Sequence, residues 1–193
     1  MKKILIGTHN KGKFKEISYL ISKKIKKVSP ISLKIKSPRE TGKTFEENAK
    51  LKANYFSKFT HLPVISDDSG LCIKSLNNKP GIYSARWAKK YGSFYRAMKI
   101  ILKKIKDKKK DRSAFFICSL SFKDSEGKVT TVTGKINGSI SYKIVGGRGF
   151  GYDPIFIPQS KSSTSGQMTK SKKTKMDHRF IAFKKLKKKV KIL

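Results

Sequence analysis

The sequence predicts an α/β fold, built as one domain over residues 1–193 around a single, mostly central sheet, and three observations carry that reading. Short apolar runs of strand length alternate with segments of helical period along the whole chain. A hydrophobic content of 37% over 193 residues is enough to bury a sizeable core. No internal repeat appears, and strands and helices are mixed along the chain.

Taken in order, Lys3–Gly7 is an apolar run closing on glycine and reads as a buried strand. Phe14, Ile17, Leu20, Ile21 and Ile25 then recur at helical spacing. Ile31–Ile35 alternates apolar with polar and predicts a strand. Phe45, Ala49, Ala53 and Phe56 predict a second helix, with Thr44 as N-cap and Glu47 completing a capping box. Pro63–Ser66 predicts a strand, Asp67-Asp68-Ser69-Gly70 a turn, and Leu71–Leu76 a further strand. Phe94, Ala97, Met98, Ile101, Leu102 and Ile105 give the clearest amphipathic helix. Ala114–Phe122 and Val129–Ile136 flank Asp124-Ser125-Glu126-Gly127 as a hairpin, which Ser139–Ile144 extends. A glycine-rich loop at Gly146–Gly151 precedes the apolar stretch Pro154–Pro158. Gln159–Lys175 is polar and reads as a loop or mobile flap. A last helix starts near Asp177, turns Ile181, Ala182 and Leu186 inward, and ends in a frayed basic tail.

Composition narrows the class of protein. No apolar run approaches the roughly 20 residues of a membrane span, and Met1-Lys2-Lys3 leads into too short an apolar run for a secretory signal. Cys72 and Cys118 lack metal or disulfide spacing and read as core residues of a reducing compartment, which places the chain in the cytoplasm. The net charge of +35, from 47 basic and 12 acidic residues, points first to nucleic acid. Against that, only six of the basic residues are arginine, and the lysines cover every helical face apart from the runs Lys103–Lys110 and Lys184–Lys191. A lysine-rich surface is the plainer account, and its field also suits a small polyanionic substrate.

Chemistry gathers in four polar clusters. Thr8-His9-Asn10-Lys11-Gly12-Lys13 joins a strand to a helix, where backbone N–H groups, a hydroxyl, an amide and lysines make a phosphate cradle, although a plain strand–helix connection fits the same residues. Asp67-Asp68 places two adjacent carboxylates in a chain poor in acid, suited to a hard cation or to activating water, with Glu46 and Glu47 able to add a carboxylate. A turn ending a strand is the structural alternative for that pair. In Gly149-Phe150-Gly151-Tyr152-Asp153-Pro154 the glycines admit a ligand, the rings offer a stacking face and Asp153 accepts hydrogen bonds, whereas a turn with buried aromatics would use the same types. Lys173 with His178-Arg179 supplies donors for phosphate or an exocyclic oxygen.

In this order the segments resemble the inosine triphosphate pyrophosphatase family. The resemblance runs through Thr8, Asn10 and Lys13; Thr44, Phe45, Glu47, Asn48 and Ala49; and Asp67 to Leu71. It continues through Pro80, Gly81, Tyr83, Ser84, Ala85 and Arg86, then Phe150 to Pro154, and last Lys173, His178 and Arg179. It implies an elongated fold of two lobes with the active-site cleft between them, a homodimer, and magnesium-dependent hydrolysis of dITP, ITP and XTP to monophosphate and pyrophosphate. It also implies roles. Thr8, His9, Asn10, Lys11, Gly12 and Lys13 would hold the triphosphate; Glu47 and Asp68 would ligate magnesium, with Asp68 the base for water; Ser69 would touch substrate. Phe150, Gly151, Tyr152 and Asp153 would meet the purine, and Lys173, His178 and Arg179 would complete base and phosphate recognition. Donors at a 6-oxo group would reject adenine, whose N6 is itself a donor. No membrane and no specific nucleic-acid partner are expected. The chain departs from the family pattern at Gly166-Gln167-Met168, Thr174 and Asp177, where glutamate, asparagine and serine are usual. A basic nucleic-acid-binding protein and a Maf-type nucleotide pyrophosphatase are the alternatives.

Overall fold

The structure is a computed structural model and describes residues 2–107 and 111–190. The ends of both lysine runs, Lys108–Lys110 and Lys191, and with them the tip of the expected basic tail, lie outside the described residues.

The chain alternates strands and helices as expected: β1 (Lys3–Ile6), α1 (Lys11–Leu20), β2 (Lys26–Val28), α2 (Phe45–Ser57), β3 (Val64–Ile73), β4 (Lys79–Pro80), α3 (Ser84–Lys90), α4 (Phe94–Lys104), β5 (Ser113–Lys123), β6 (Val129–Ile140), β7 (Phe156–Pro158), α5 (Lys170–Thr174) and α6 (His178–Lys187). Among the described residues seven strands form one mixed sheet in the order β2-β1-β3-β5-β6-β7, with β4 paired to β3. β1 runs parallel to β2 and to β3, whereas β3–β4 and β6–β7 are antiparallel.

Contacts divide the chain into two compact units. The first comprises residues 1–68, 118–134 and 179–193; the second comprises 69–117 and 135–178. Each has its own core. In the first, Ile4 and Ile6 of β1, Ile17 of α1, Ile65 of β3, Leu120 of β5 and Leu186 of α6 pack together, with Leu5, Phe56 and Val64 in a second cluster. In the other, Leu71 and Ile73 of β3 join Ala97, Met98 and Ile101 of α4, Phe116 of β5 and Phe156 of β7. Burying a side chain of this size contributes about 1.5–3 kcal/mol.

Four expectations change. Ile31–Ile35 is a series of turns, and the strand lies earlier, with Lys3 opposite Lys26 and Leu5 opposite Val28. Pro30 O accepts from Leu33 N and Ile35 N, so Ile31 and Leu33 stay exposed and the alternation there is accidental. Asp67–Gly70 is not a turn: β3 passes straight through it, and the tail of the expected second strand, Lys74–Leu76, is a 3₁₀ turn. Ser139–Ile144 continues β6 only to Ile140, where Ser139 faces Ile157 of β7. The expected flap, Gln159–Lys175, carries a 3₁₀ turn and α5, with Thr164, Ser165, Lys173 and Thr174 buried.

Candidate active site

In the first unit the site is built at the end of β1 and on β3. β1 leads into Thr8–Asn10, where Thr8 Oγ1 accepts from Asn10 N at 3.2 Å and Asn10 Oδ1 caps α1 by accepting from Lys13 N at 3.0 Å. Gly7 is required by close approach, since a Cβ there would stand 2.2 Å from Ser66 Oγ and 2.6 Å from the Phe56 ring. His9 donates from Nε2 to Ile35 O at 2.9 Å, which ties the loop to the chain after β2. A groove of about 230 Å³ lies along Thr8, His9, Asn10, Lys11, Phe14, Lys15, Ser29 and Ile31, at the helix start where N–H groups favour anions. Gly12 lies within the first turn of α1.

Asp67 and Asp68 follow each other on β3, both buried, and meet different neighbours. Asp67 Oδ2 is 3.2 Å from Lys13 Nζ and 3.4 Å from Arg179, whose Nη1 donates to Glu16 Oε2 at 2.6 Å. Burial alone would raise the Asp67 pKa, but the charges of Lys13, Arg179 and Lys52 overcome it and hold the carboxyl far below its ordinary range. Asp68 Oδ2 accepts from Asn48 Nδ2 at 3.2 Å, and its Oδ1 is 3.7 Å from Lys52 Nζ, which is 2.5 Å from Glu40 Oε1. Here burial prevails: together with Glu40 and Asp67 it pushes the Asp68 carboxyl above its ordinary range against the pull of Lys52 and Lys13. At Lys52 burial works against the charge, and the carboxylates of Asp68, Asp67 and Glu40 outweigh it.

Helix α2 brings Asn48 to this point. Thr44 Oγ1 accepts from Glu47 N at 3.1 Å, as a capping box requires, but the return contact differs: Glu47 Oε2 accepts from Lys43 N at 2.6 Å, one residue before the cap. Glu47 is exposed. Glu46 accepts from Thr133 Oγ1 of β6 at 2.5 Å. Glu40, Lys52 and Glu16 were not singled out in the sequence. Scarcity was the only signal for the two glutamates, since each acid in a chain with 12 is worth placing; Lys52, one lysine among many, gave none.

The second unit holds the other cluster. Asp153 is buried, and its Oδ2 accepts from Phe150 N and from Lys173 Nζ, both at 2.8 Å. Lys173 Nζ also lies 5.2 Å from the Phe150 ring centroid. Gly149 makes this possible: its φ is +78°, and a Cβ would stand 2.2 Å from Asp153 Oδ2. Gly151, at φ +68°, completes the turn around Phe150. Tyr152 is buried edge-on to Phe94 and donates its hydroxyl to Ser84 O at 2.9 Å, and burial raises its pKa. His178 stacks on Phe116 with centroids 4.9 Å apart and planes 13° from parallel. Ser69, half-buried, follows Asp68 on β3. The sequence departures are accommodated. Gln167 Oε1 accepts from Thr164 N at 3.0 Å and closes the capping box that glutamate would close; Thr174 Oγ1 donates to Lys170 O at 2.7 Å, and Asp177 is buried just before α6.

Charge-compensated carboxylates on a strand, beside a helix start of the kind that favours anions, characterise an α/β protein with a polar, charged site in its first unit. The chain belongs to the Ham1 family, whose sequence profile matches residues 4–189. It is 43% identical to a dITP/XTP pyrophosphatase of Dictyoglomus thermophilum over 95% of this chain and 92% of the relative. It is 42% identical to one of Oceanobacillus iheyensis over 97% and 98%. Its fold matches a HAM1 protein of Coxiella burnetii with a TM-score of 0.88 at 31% identity, over all of both chains. The Staphylococcus aureus Ham1 protein matches at 0.86 and 34% identity over 98% of each. These matches bear out the family resemblance and the mixed α/β class, and they do not favour the binding-only or Maf-type readings.

Proposed function

We propose that this chain hydrolyses non-standard purine nucleoside triphosphates, dITP, ITP and XTP, to the monophosphate and pyrophosphate, and so removes them from the pool that supplies DNA and RNA. The observation that carries the reading is Asp68: a buried carboxyl on a strand, held by Asn48 and Lys52 and raised by burial above its ordinary pKa, in a chain whose relatives are named dITP/XTP pyrophosphatases.

Among the described residues no group of three or more Asp, Glu, His or Cys side chains is gathered to hold a metal, so the chain would offer magnesium only one or two hard oxygen donors, which suits an ion that keeps several of its waters. Lys52 bridges Glu40 and Asp68 and would give way to the ion. Asp68 would hold the ion with a second carboxylate. Glu40 is supported by that ammonium bridge, and Glu47 by its place in the family pattern at the start of α2. When bound, the ion neutralises phosphate oxygens as negative charge moves onto the leaving pyrophosphate.

The remaining work falls to the chain. The helix start at Thr8–Lys13, with Lys11 and Lys13, would bind the triphosphate oxygens. Asp68 would accept a proton from the water that attacks the α-phosphorus, a role served by a pKa above the usual carboxylate value. Asn48, bonded to one Asp68 oxygen, would keep the other turned to the water. Ser69 would touch the substrate. In the second unit Phe150 would stack on the purine, with Gly151 and Tyr152 shaping its surroundings. Asp153 would act chiefly by fixing the Phe150 backbone and the Lys173 ammonium, since one of its oxygens already carries both bonds. His178 and Arg179 would offer donors to the 6-oxo group. Arg179 would first loosen its bonds to Asp67 and Glu16, a cost that a matching base repays and adenine does not.

We further propose, on the family resemblance alone, a cytoplasmic homodimer. Among the described residues no helix is long and apolar enough to cross a membrane. Hydrolysis of dITP, XTP, ITP, dATP and dGTP with magnesium, with both products identified, tests the reaction. Monophosphate plus pyrophosphate from dITP or XTP, far faster than from dATP, is the expected result. Release of inorganic phosphate alone would contradict it. Glu40→Gln and Glu47→Gln, compared for magnesium activation, separate the two candidate ligands.

A further inference from the structure

One face of the second unit has no part in the proposed reaction. The pleat of β5 turns Ala114 and Phe116 into the core and leaves Ser113 and Phe115 on the opposite side. On the neighbouring strand β6 the outward set is Lys135, Asn137 and Ser139, and on β7 it is Ile157, followed by Gln159. Together with Lys74 and Lys161 these residues line a groove of about 540 Å³, within the range of ligand sites.

The charge of this groove is one-sided. Among the described residues Lys74, Lys135 and Lys161 line it without a single carboxylate, and all three are exposed. Asp111, outside the lining, feels the Lys74 charge, but its carboxylate accepts from Ser113 N at 2.7 Å. Lys135 rests its ammonium 3.9 Å from the centre of the half-buried Phe115 ring, a cation on an aromatic face. Asn137 and Gln159 add side-chain amides that both donate and accept.

We propose that this groove binds single-stranded nucleic acid, without sequence preference, as a second activity independent of hydrolysis. The chemistry is that of a stacking platform: lysines follow the phosphate backbone, a base stacks on Phe115 as the Lys135 ammonium moves off the ring to a phosphate, and the amides meet base edges. A sheet face that carries a half-buried aromatic under a mobile lysine presents such a surface once the lysine moves aside. A lipid surface fits less well, since Ile157 is the one half-buried aliphatic side chain in the lining and nothing there would insert between acyl chains. The net charge of +35 then has a local focus as well as a diffuse role.

The test is fluorescence anisotropy of a labelled oligo(dT) of roughly 12 nucleotides, the scale of one such platform, against the full chain over a salt series. The groove variant carries Lys74→Gln, Lys135→Gln and Lys161→Gln; a control carries Lys89→Gln, Lys99→Gln and Lys103→Gln, of equal charge. The groove variant should bind at least tenfold more weakly and flatten the log–log salt slope by about 2, from about 0.7 per lost phosphate contact. The control should change little. Phe115→Ala alone should weaken binding about fivefold or more, the lower end of base–aromatic stacking. Hydrolysis of dITP by the groove variant should keep its kcat, and excess dITP should not displace the oligonucleotide. Equal losses in both triple variants, displacement by dITP, absence of binding at low salt, or binding to phosphatidylserine vesicles in place of the oligonucleotide would each overturn the proposal.

Discussion

Asp67 and Asp68 sit one peptide apart on β3, and their surroundings push their acidities in opposite directions. The pleat explains how, since successive side chains leave a strand on opposite faces. One therefore meets Lys13 and Arg179, and the other Asn48 and Lys52. The consequences of neutralising each should diverge. Asp67→Asn removes the partner of two cations and should destabilise the fold by about 3–5 kcal/mol, as when one member of a buried pair is lost. Because its folded pKa lies below the unfolded value, that stabilisation is complete above pH about 4 and fades only as the pH falls through the lower folded value. At Asp68 the sign reverses. Burial disfavours its ionised form, so Asp68→Asn should leave the thermal midpoint unchanged or higher at pH 7 while lowering kcat by about 10²–10⁴-fold. Thermal melts at pH 7 and pH 4, beside steady-state hydrolysis, check both variants. An Asp68→Asn protein with normal turnover would remove that residue from the proposed role.

Among the elements, the loop at Gly149–Asp153 shows how a backbone conformation becomes a binding property. Gly149→Ala meets two obstacles: a left-handed φ costs about 1–2 kcal/mol for a residue with a Cβ, and that Cβ collides with Asp153 Oδ2. Relief requires Asp153 to move, which frees Lys173 and the Phe150 amide. KM for dITP should rise several-fold while kcat changes less, as expected when binding rather than chemistry is disturbed. Thr44→Ala, at the cap of α2, should cost about 1 kcal/mol and weaken magnesium activation, because the same turn delivers Asn48 to Asp68. Much of this was legible in the sequence. The cap at Thr44, the hairpin of β5 and β6 and the helix α4 follow from turn chemistry and from period. The course of β3 did not, because adjacent aspartates signal a turn unless buried cations compensate them, and those cations come from α1, α2 and α6, far apart in sequence. The order within Gln159–Lys175 was hidden for a similar reason. Its polar residues spend their hydrogen bonds on their own backbone and on Val145, which composition cannot reveal.

For the molecule as a whole, the decisive quantity is 47 basic residues against 12 acidic ones. Of those acids, Asp67, Asp68, Glu16, Glu40 and Asp153 are already committed to lysines or an arginine in the two clusters, so the surface lysines have few carboxylates left to oppose them. Two effects of salt follow, with opposite benefit. Self-repulsion of the folded chain is screened over about 8–10 Å at 0.1–0.15 M salt, so the thermal midpoint should rise between low and moderate ionic strength. The same screening weakens the field that draws a triphosphate to the protein, so kcat/KM should fall over that range. Turnover at saturating substrate is insulated from this, because the groups around Asp68 are buried and interact at short range. Increasing sodium chloride at constant free magnesium should therefore lower kcat/KM for dITP while leaving kcat nearly constant and raising the melting temperature. A kcat that falls in parallel with kcat/KM would show that salt reaches the site itself, and the lysine surface would then lose its role in capturing substrate.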